Sequence, residues 1–461
     1  MNQENNSVPV TENKMGTMPV GKLLFNMSLP MMISMLVQAL YNIVDSIFVA
    51  KLSENALTAV SMAFPIQTLL IAVGTGTGVG MNALLSKSLG EKDFKKANQA
   101  ANNTALLYVL SYLVFLILGF TIVKPFYASQ IGSADIEIMD MGIDYLSTVM
   151  IFSFGIFTQV FFERLLTSTG RTIFSMTSQL TGAITNIILD PILIFGLLGA
   201  PKMGVTGAAV ATVIGQCVAG IVAGVCNHKY NHEVHLSLHN FKPDFKIIGT
   251  VYAVGIPSII MQSIGSIMTY SMNRILIEFS STATAVFGVY FKLQSFFFMP
   301  LFGLNNGITP IIAYNYGAKK RKRMLKTIKL SMIVAFCLTF IGFVAFEGIP
   351  QILLGMFSAS EDMLVIGIPA LRIIGVHYLI AWFCIVAGTI FQALGKAVFS
   401  MIVSIMRQLC ALIPAAHILA KFGGLSVVWW ALPIAEVISL IFSLSFLVVV
   451  NRSIIQKIPE E

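Results

Sequence analysis

Long apolar segments separated by short polar breaks follow one another along most of the chain. Each segment is longer than the ~20 residues that an α-helix needs to cross the hydrocarbon core of a bilayer. The pattern predicts an all-α integral membrane protein with twelve transmembrane helices. Their approximate spans are 23–50, 57–85, 97–123, 141–165, 172–198, 204–227, 249–277, 283–313, 325–346, 364–392, 397–420 and 425–450.

The two halves of this pattern repeat each other. The segment STGRTIFSM (168–176) of the first half aligns with ALGKAVFSM (393–401) of the second. Six helices per half is an even number, so both halves should enter the membrane in the same direction, related by a pseudo-twofold axis along its normal. Nearer the start of each half, an ungapped alignment pairs Pro30 with Pro257, Phe64 with Phe291, Gln67 with Gln294, and Gly76, Gly80 and Gly90 with Gly303, Gly307 and Gly317.

The repeat divides the chain into three parts. Residues 1–227 are predicted to form an N-terminal lobe of six helices after a short tail, 228–248 a cytoplasmic linker, and 249–461 a C-terminal lobe. In such folds the substrate path runs between the lobes. The two matching Gly-x-x-x-Gly pairs fit close helix packing, with a hinge role as the alternative.

Composition argues against a soluble protein. The chain is 56% hydrophobic and only 11% charged, whereas about 25% charged residues is usual in soluble domains. The five cysteines fall in apolar segments without a metal-binding spacing, so we interpret them as small buried hydrophobic side chains. Four linker histidines lack the cysteine or carboxylate company of a strong zinc motif, which favours a solvated linker. They are His228, His232, His235 and His239.

Basic residues concentrate on one side of the predicted membrane. The tails and even-numbered loops hold 21 of them, and the opposite side holds four, Lys51, Lys124, Lys202 and Lys421. This asymmetry predicts a multi-pass protein of the plasma (inner) membrane with both termini in the cytoplasm. The run KKRKR (319–323) is expected to anchor this topology and to contact anionic lipid, with no nucleic-acid partner.

Few acidic residues lie inside the predicted membrane, and a charge there is a functional candidate because it costs a few kcal/mol. Asp45 and Asp190 both come out in the outer half of the bilayer. Asn186 lies one turn before Asp190 on the same helix face, and Thr212 lies about two turns into the next helix. We predict that these four side chains bind a coupling cation, H+ or Na+. The alternative is a buried hydrogen-bond network that joins three helices.

The second half lacks this set, which places the predicted coupling site in the N-terminal lobe. The residues that align with Asp45, Asn186 and Asp190 are Met272, Ala411 and Ala415.

The second half instead carries Arg407 and Glu436, both near the middle of their helices, and we interpret them as a structural ion pair. Lys292 and His377 could face the cleft between the lobes, and their roles stay open.

Gln38 and Tyr41 precede Asp45 by one to two turns on the same helix stripe. We predict that they face the cleft and contact the substrate.

Several motifs in order resemble the MATE family, multidrug and toxic compound extrusion, and most closely its bacterial MepA-like branch. The similarity covers about residues 20 to 450. The motifs are LYNIVDSIFVAKL, SLGEKD, LTSTGR, NIILDPILIFG, GVTGAAVAT, LSLHNFKPDF with GIPS, and WALPIAE.

The resemblance implies a V-shaped pair of six-helix lobes that exports bulky, often cationic organic compounds in exchange for H+ or Na+. It also implies a cation site at Asp45, Asn186, Asp190 and Thr212, and cavity contacts at Gln38 and Tyr41. Another branch of the family has a glutamate within the seventh helix, where this chain reads PSIIMQSIGS. An ion site like the one in that branch is therefore not expected in the second lobe.

A lipid-linked precursor flippase of the wider superfamily is the alternative function. Such a protein would need several cationic side chains in its cavity to hold pyrophosphate, and Lys292 and Arg407 are the candidates. An enzyme is not expected, because no HExxH motif or paired catalytic set is present. The absence of a GxxxxGK[ST] loop argues against ATP as the energy source. We expect a monomer that needs no cofactor and interacts with small organic substrates and membrane lipid.

The charge asymmetry makes a topological prediction. Tags at either terminus, and a cysteine introduced near Lys320, should react only with reagents added from the cytoplasmic side. Impermeant maleimide labelling of intact cells and of inside-out vesicles measures this. Labelling of the 319–323 run from outside would contradict the twelve-helix topology.

Overall fold

The computed structural model describes residues 12–131, 136–237, 241–357 and 360–459, and this part of the chain is helical without β-strands. Within it, ten unbroken helices are long and apolar enough to cross a membrane. The labels α4 and α10 are kept for two bent spans described below. In chain order the first five unbroken helices are α1 (Val20–Ala50), α2 (Glu54–Gly90), α3 (Phe94–Thr121), α5 (Thr172–Phe195) and α6 (Gly204–Tyr230). The others are α7 (Phe245–Ile277), α8 (Ser281–Gly317), α9 (Arg321–Gly348), α11 (Ala397–Gly423) and α12 (Leu425–Lys457, with its main part Ala431–Ser453).

The two remaining spans are bent. Helix α4 consists of two segments, Ile136–Ile151 and Phe154–Ser168, whose axes are bent by 44° relative to each other. Helix α10 consists of Glu361–Gly375 and Tyr378–Ala393, bent by 50°. At each bend the backbone changes to tighter bonds between residues three apart, Ser153 N to Met150 O and His377 N to Ile374 O. The prediction of an all-α membrane protein with twelve spans is confirmed when each bent pair is counted as one span.

The sequence repeat is also visible in local backbone geometry. Ser53 and Ser280 each cap a helix, with the hydroxyl 3.0 Å from the amide three residues later. Lys92 and Lys319 have φ values of 60° and 57°, and Gly170 and Gly395 have 85° and 74°. Each of these pairs is aligned by the sequence repeat, so the duplicated sequence forms turns of the same kind in each half.

Two apolar cores hold the two halves. One contains mainly residues of α1 to α6, and the other mainly residues of α7 to α12. The predicted linker is shorter in the structure, because α6 continues to Tyr230 and α7 begins at Phe245. His239 lies outside the described residues. The described linker lies against α3, where the Asn98 side chain accepts a hydrogen bond from the His235 amide at 2.8 Å.

The halves approach each other most closely at the repeated glycines. A Cβ on Gly76 would lie 3.0 Å from the carbonyl oxygen of Gly255 in α7, and one on Gly80 would overlap the Val251 carbonyl. In the symmetry-related contact, a Cβ on Gly307 of α8 would lie 2.6 Å from the Cα of Ser28 in α1. Only glycine lets the backbones of the two halves pack this closely at one end of the molecule.

The chain segment before α1 bridges both halves at that same end. The Asn13 side chain donates to Thr169 O of the first half at 3.1 Å and to the Glu233 carboxylate of the linker at 2.8 Å. In the second half, Arg323 donates to the carbonyls of Met15 and Met18 at 3.2 and 2.7 Å.

Lys320 strengthens this bridge. Its ammonium donates to the Gly16 carbonyl at 2.9 Å and forms an ion pair with Glu12. The hydrogen bond from Lys320 lowers the pKa of the Glu12 carboxyl. Two residues of the basic run 319–323 thus bind the protein's own N-terminal segment.

The glycine contacts predict a stability effect. Gly80→Val and Gly307→Val should each destabilise this arrangement by about 1–3 kcal/mol, because the added methyl groups overlap the opposite backbone. The melting temperature of the detergent-purified protein measures the loss. Gly21→Val and Gly249→Val are matched controls, since a Cβ there has no neighbour within 4 Å. Equal melting temperatures for all four variants would refute a close contact.

Candidate functional site

A central cavity of about 530 Å³ lies between the halves, beyond their glycine contacts. Its wall includes residues of α1, α2, α4 and α6 on one side and of α7, α8, α10, α11 and α12 on the other. Among the described residues, three charged side chains line it, Glu163, Arg164 and Arg407. The cavity borders a smaller pocket of about 40 Å³ within the first half, and Gln38 and Tyr41 line both.

Close packing of α5 and α6 positions the wall of the smaller pocket. A Cβ on Gly182 would lie 2.8 Å from the Gly215 carbonyl oxygen, and a Cβ on Gly215 would lie 2.8 Å from the Gly182 carbonyl oxygen. This contact brings Asn186, one turn after Gly182, beside α6. The Asn186 amide nitrogen lies 3.2 Å from Asp190 Oδ1 and 3.4 Å from Thr212 Oγ1.

Asp45 reaches the same region from α1. The rings of Phe48 and Phe195 meet edge to face with centroids 6.4 Å apart, which packs the end of α1 against the end of α5. Asp45 precedes Phe48 by about one turn and therefore lies near the part of α1 that packs against α5. Hydrogen bonds thus join three of the four predicted coupling residues, Asn186, Asp190 and Thr212. The fourth residue, Asp45, lies on the adjoining helix α1.

The cluster contains acceptor oxygens without donors. Asp45 Oδ1, Asn186 Oδ1 and Asp190 Oδ2 are buried and have no hydrogen-bond partner within the described residues. Asp190 has no solvent exposure, and Asn186 is 3% exposed. Buried acceptors are normally satisfied by a donor, a water or an ion. Two carboxylates, an amide and a hydroxyl offer the hard oxygen ligands that suit Na+, and the carboxylates can also carry protons.

The second half pairs its intramembrane charges with each other. Arg407 Nη1 lies 3.4 Å from Glu436 Oε2, and the side chains are 30% and 4% exposed. The ion pair predicted from sequence is therefore formed, with the arginine facing the cavity. Its structural role stays a prediction.

Lys292 and His377 occupy separate environments. Lys292 is exposed, with its ammonium 6.0 Å from the centroid of the Phe357 ring. His377 is buried at the bend of α10, where Nδ1 lies 2.6 Å from the Ile374 carbonyl and the ring stacks on Phe298. Neither side chain belongs to the described lining of the central cavity.

Two cavity residues were missed by sequence analysis. Arg164, counted there with the basic residues of one membrane face, lines the cavity and donates to Asn306 Oδ1 at 2.8 Å. Glu163 is 7% exposed and accepts hydrogen bonds from Gln159 at 2.9 Å and Ser178 at 3.5 Å. The spacing of one helical turn between Gln159 and Glu163 is the sequence feature that could have predicted their hydrogen bond.

Comparisons with known proteins agree with this architecture. The model of the MatE family matches residues 30–192 and 257–416. A protein named Multidrug export protein MepA from Staphylococcus haemolyticus (strain JCSC1435) is 30% identical over 431 residues, covering 90% of this chain and 91% of its own. A protein of the same name from Staphylococcus aureus (strain MSSA476) is 28% identical over 429 residues, covering 91% of each chain.

Solved structures give the same answer for the fold. A crystal structure of MATE in complex with MaL6 has a TM-score of 0.88 at 25% identity, covering 95% of this chain and 99% of that one. A MOP superfamily transporter from Pyrococcus furiosus has a TM-score of 0.84 at 26% identity, covering 97% and 98%. The resemblance stated from sequence motifs and the predicted fold class are therefore confirmed.

The Arg407–Glu436 pair makes a testable prediction about stability. Arg407→Ala leaves the buried Glu436 without its partner and should cost about 3–5 kcal/mol, whereas Glu436→Ala leaves the partly exposed Arg407 and should cost less. The double substitution should recover much of the larger loss. A double-mutant cycle of melting temperatures in detergent measures the coupling. Additive losses in the double variant would contradict a structural pair, as would fully stable single variants with impaired transport.

Proposed function

This chain belongs to the MATE family of multidrug export transporters, and on that premise we propose that it exchanges bulky, often cationic organic compounds for H+ or Na+. The observation that carries the proposal is the set of unpartnered buried oxygens on Asp45, Asn186 and Asp190 within the described residues. This cluster adjoins a pocket that Gln38 and Tyr41 connect to the central cavity.

Antiport needs a site whose charge alternates between two loaded states. Two carboxylates in an apolar region cannot both stay ionised and unpaired without a large free-energy cost, so they bind protons or a metal cation when no drug is present. A cationic drug in the first-half pocket supplies the compensating charge instead. Drug and coupling ion therefore weaken each other's binding, by the same factor in each direction.

We assign separate parts to the residues of this site. Asp45 and Asp190 supply the alternating charge, Asn186 and Thr212 supply neutral oxygens and orient Asp190, and Gln38 and Tyr41 contact the drug. The buried oxygens of both carboxylates that have no partner within the described residues support uptake of a cation there. The hydrogen bonds from Asn186 at 3.2 and 3.4 Å support its role in orientation.

The proposed orientation places both termini in the cytoplasm of a plasma (inner) membrane protein. The N-terminal segment and the glycine contacts then close the cytoplasmic end, and the cavity serves the outward-facing state. An ion that enters from outside reaches Asp45 as the drug leaves. Rearrangement of the two lobes around the cavity would complete alternating access.

Antiport is favoured over lipid-precursor flipping by the charges of the cavity. Among the described lining residues, the cationic side chains are Arg164 and Arg407, which are fewer than the several that a pyrophosphate would need. Lys292, the other candidate for holding a pyrophosphate, lies elsewhere.

The Asp45→Asn variant should fold and insert normally, because the amide keeps the shape of the carboxylate and needs no compensating charge. It should abolish gradient-driven efflux, and Asp190→Asn should reduce it severalfold. Efflux of a fluorescent organic cation from vesicles, with pH and sodium gradients imposed separately, measures the effect and identifies the coupling ion.

Asp140→Asn is the matched control, since it neutralises an exposed carboxylate of α4 outside this cluster. It should transport at the wild-type rate. If Asp45→Asn matched that rate under the same gradient, the cluster would be a structural hydrogen-bond network and the proposal would be wrong.

A further inference from the structure

Arg407 lies on a turn that distinguishes α11 from its repeat partner α5. Residues Met406–Leu412 form a π-helical turn, whereas the aligned segment 181–187 of α5 is regular α-helix. Such turns often occur at functional sites, because they change the direction of a side chain. In the repeat alignment Arg407 takes the place of Gly182. Where Gly182 packs against α6, the Arg407 side chain reaches the central cavity.

The guanidinium of Arg407 is only partly satisfied by its ion pair. Its hydrogen bond within the described residues is the long contact of 3.4 Å from Nη1 to Glu436 Oε2. A guanidinium has five N–H donors and pairs best with a carboxylate through two parallel bonds. With 30% of its side chain exposed toward the cavity, Arg407 can accept a second anionic partner.

Glu436 is also incompletely paired. It is 3% exposed, and its Oε1 atom is buried with no hydrogen-bond partner in the described part of the chain. Ser439 and Ser443, on the same stripe of α12, likewise have hydroxyl oxygens without partners there.

The first-half wall of the cavity carries an acid and a base, Glu163 and Arg164, and Arg164 donates to Asn306 Oδ1 at 2.8 Å. Gln38 and Tyr41 connect this wall to the smaller pocket, which Asn186 also lines. The second-half wall carries Arg407, whose guanidinium has only the long contact to Glu436. A ligand that complements both sides carries a cationic group and a carboxylate.

We propose that Arg407 is the binding site for the carboxylate of zwitterionic organic substrates. This inference rests on the proposed function and specifies its substrate class. The substrate carboxylate binds the free donors of the guanidinium beside Glu436, while the cationic group of the substrate faces Glu163 of the first half.

A matched pair of fluorescent probes tests the proposal. Tetramethylrhodamine is a zwitterion with a free carboxylate, and its methyl ester is a cation of nearly the same shape. Fluorescence polarisation with the purified full-length protein in detergent gives both dissociation constants without any gradient. The readout is the ratio of the ester's dissociation constant to that of the zwitterion.

Three variants separate the contributions. Glu436→Gln releases Arg407 and should raise the ratio by about tenfold, as expected for a charge-assisted hydrogen bond. The double variant, Arg407→Gln with Glu436→Gln, should lower the ratio by about tenfold. Because it leaves neither charge without its partner, it tests Arg407 even where Arg407→Gln alone fails to fold. Lys292→Gln, which removes a positive charge of the same half away from the cavity, should leave the ratio at the wild-type value.

An unchanged ratio in the double variant would overturn the proposal, and so would equal decreases in the double variant and Lys292→Gln. These equilibrium measurements are independent of ion coupling. Gradient-driven efflux of the methyl ester tests the proposed function separately.

Discussion

In the apolar interior of a membrane every buried polar atom needs a partner, and this constraint separates the two halves of the protein. In the second half Arg407 and Glu436 neutralise each other. In the first half Asp45 and Asp190 have no cationic partner within the described residues, and an oxygen of each is left without a donor. This difference is the basis of our proposal that the carboxylates of the first half exchange one cation for another.

The glycine contacts and the N-terminal segment close one end of the molecule, and the proposed exchange site lies away from that end. Gly76 and Gly80 approach α7, and Gly307 approaches α1, so backbone packing holds the halves together there. Asn13 and Arg323 tie the segment before α1 to both halves at the same end. Ile247, Val251, Ile311 and Tyr314 of the second half also pack into the first-half core, so apolar contacts hold this end together as well.

Much of this architecture could be predicted from the sequence, because apolar length and repeat spacing act over whole helices. The repeat alignment already paired Gly76 and Gly80 with Gly303 and Gly307, and the spacing of Asn186 and Asp190 placed them on one helix face. The bends of α4 and α10 were not predicted although Gly155 and Gly375 lie beside them, because glycine is frequent in membrane helices and does not by itself mark a bend. The π-helical turn at Arg407 and the cavity position of Arg164 depend on tertiary packing, which hydrophobic periodicity does not record.

The central claim is that drug and coupling ion compete for the carboxylates of the first half. The most direct test is the dissociation constant of a monovalent fluorescent cation, measured at equilibrium in detergent as pH and sodium concentration are varied independently. We expect either protons or Na+ to weaken drug binding, by up to tenfold for each tenfold rise in the activity of that ion. This dependence of drug affinity on the ion should be lost in the Asp45→Asn variant. Drug affinity that is independent of both ions in the wild-type protein would contradict the central claim.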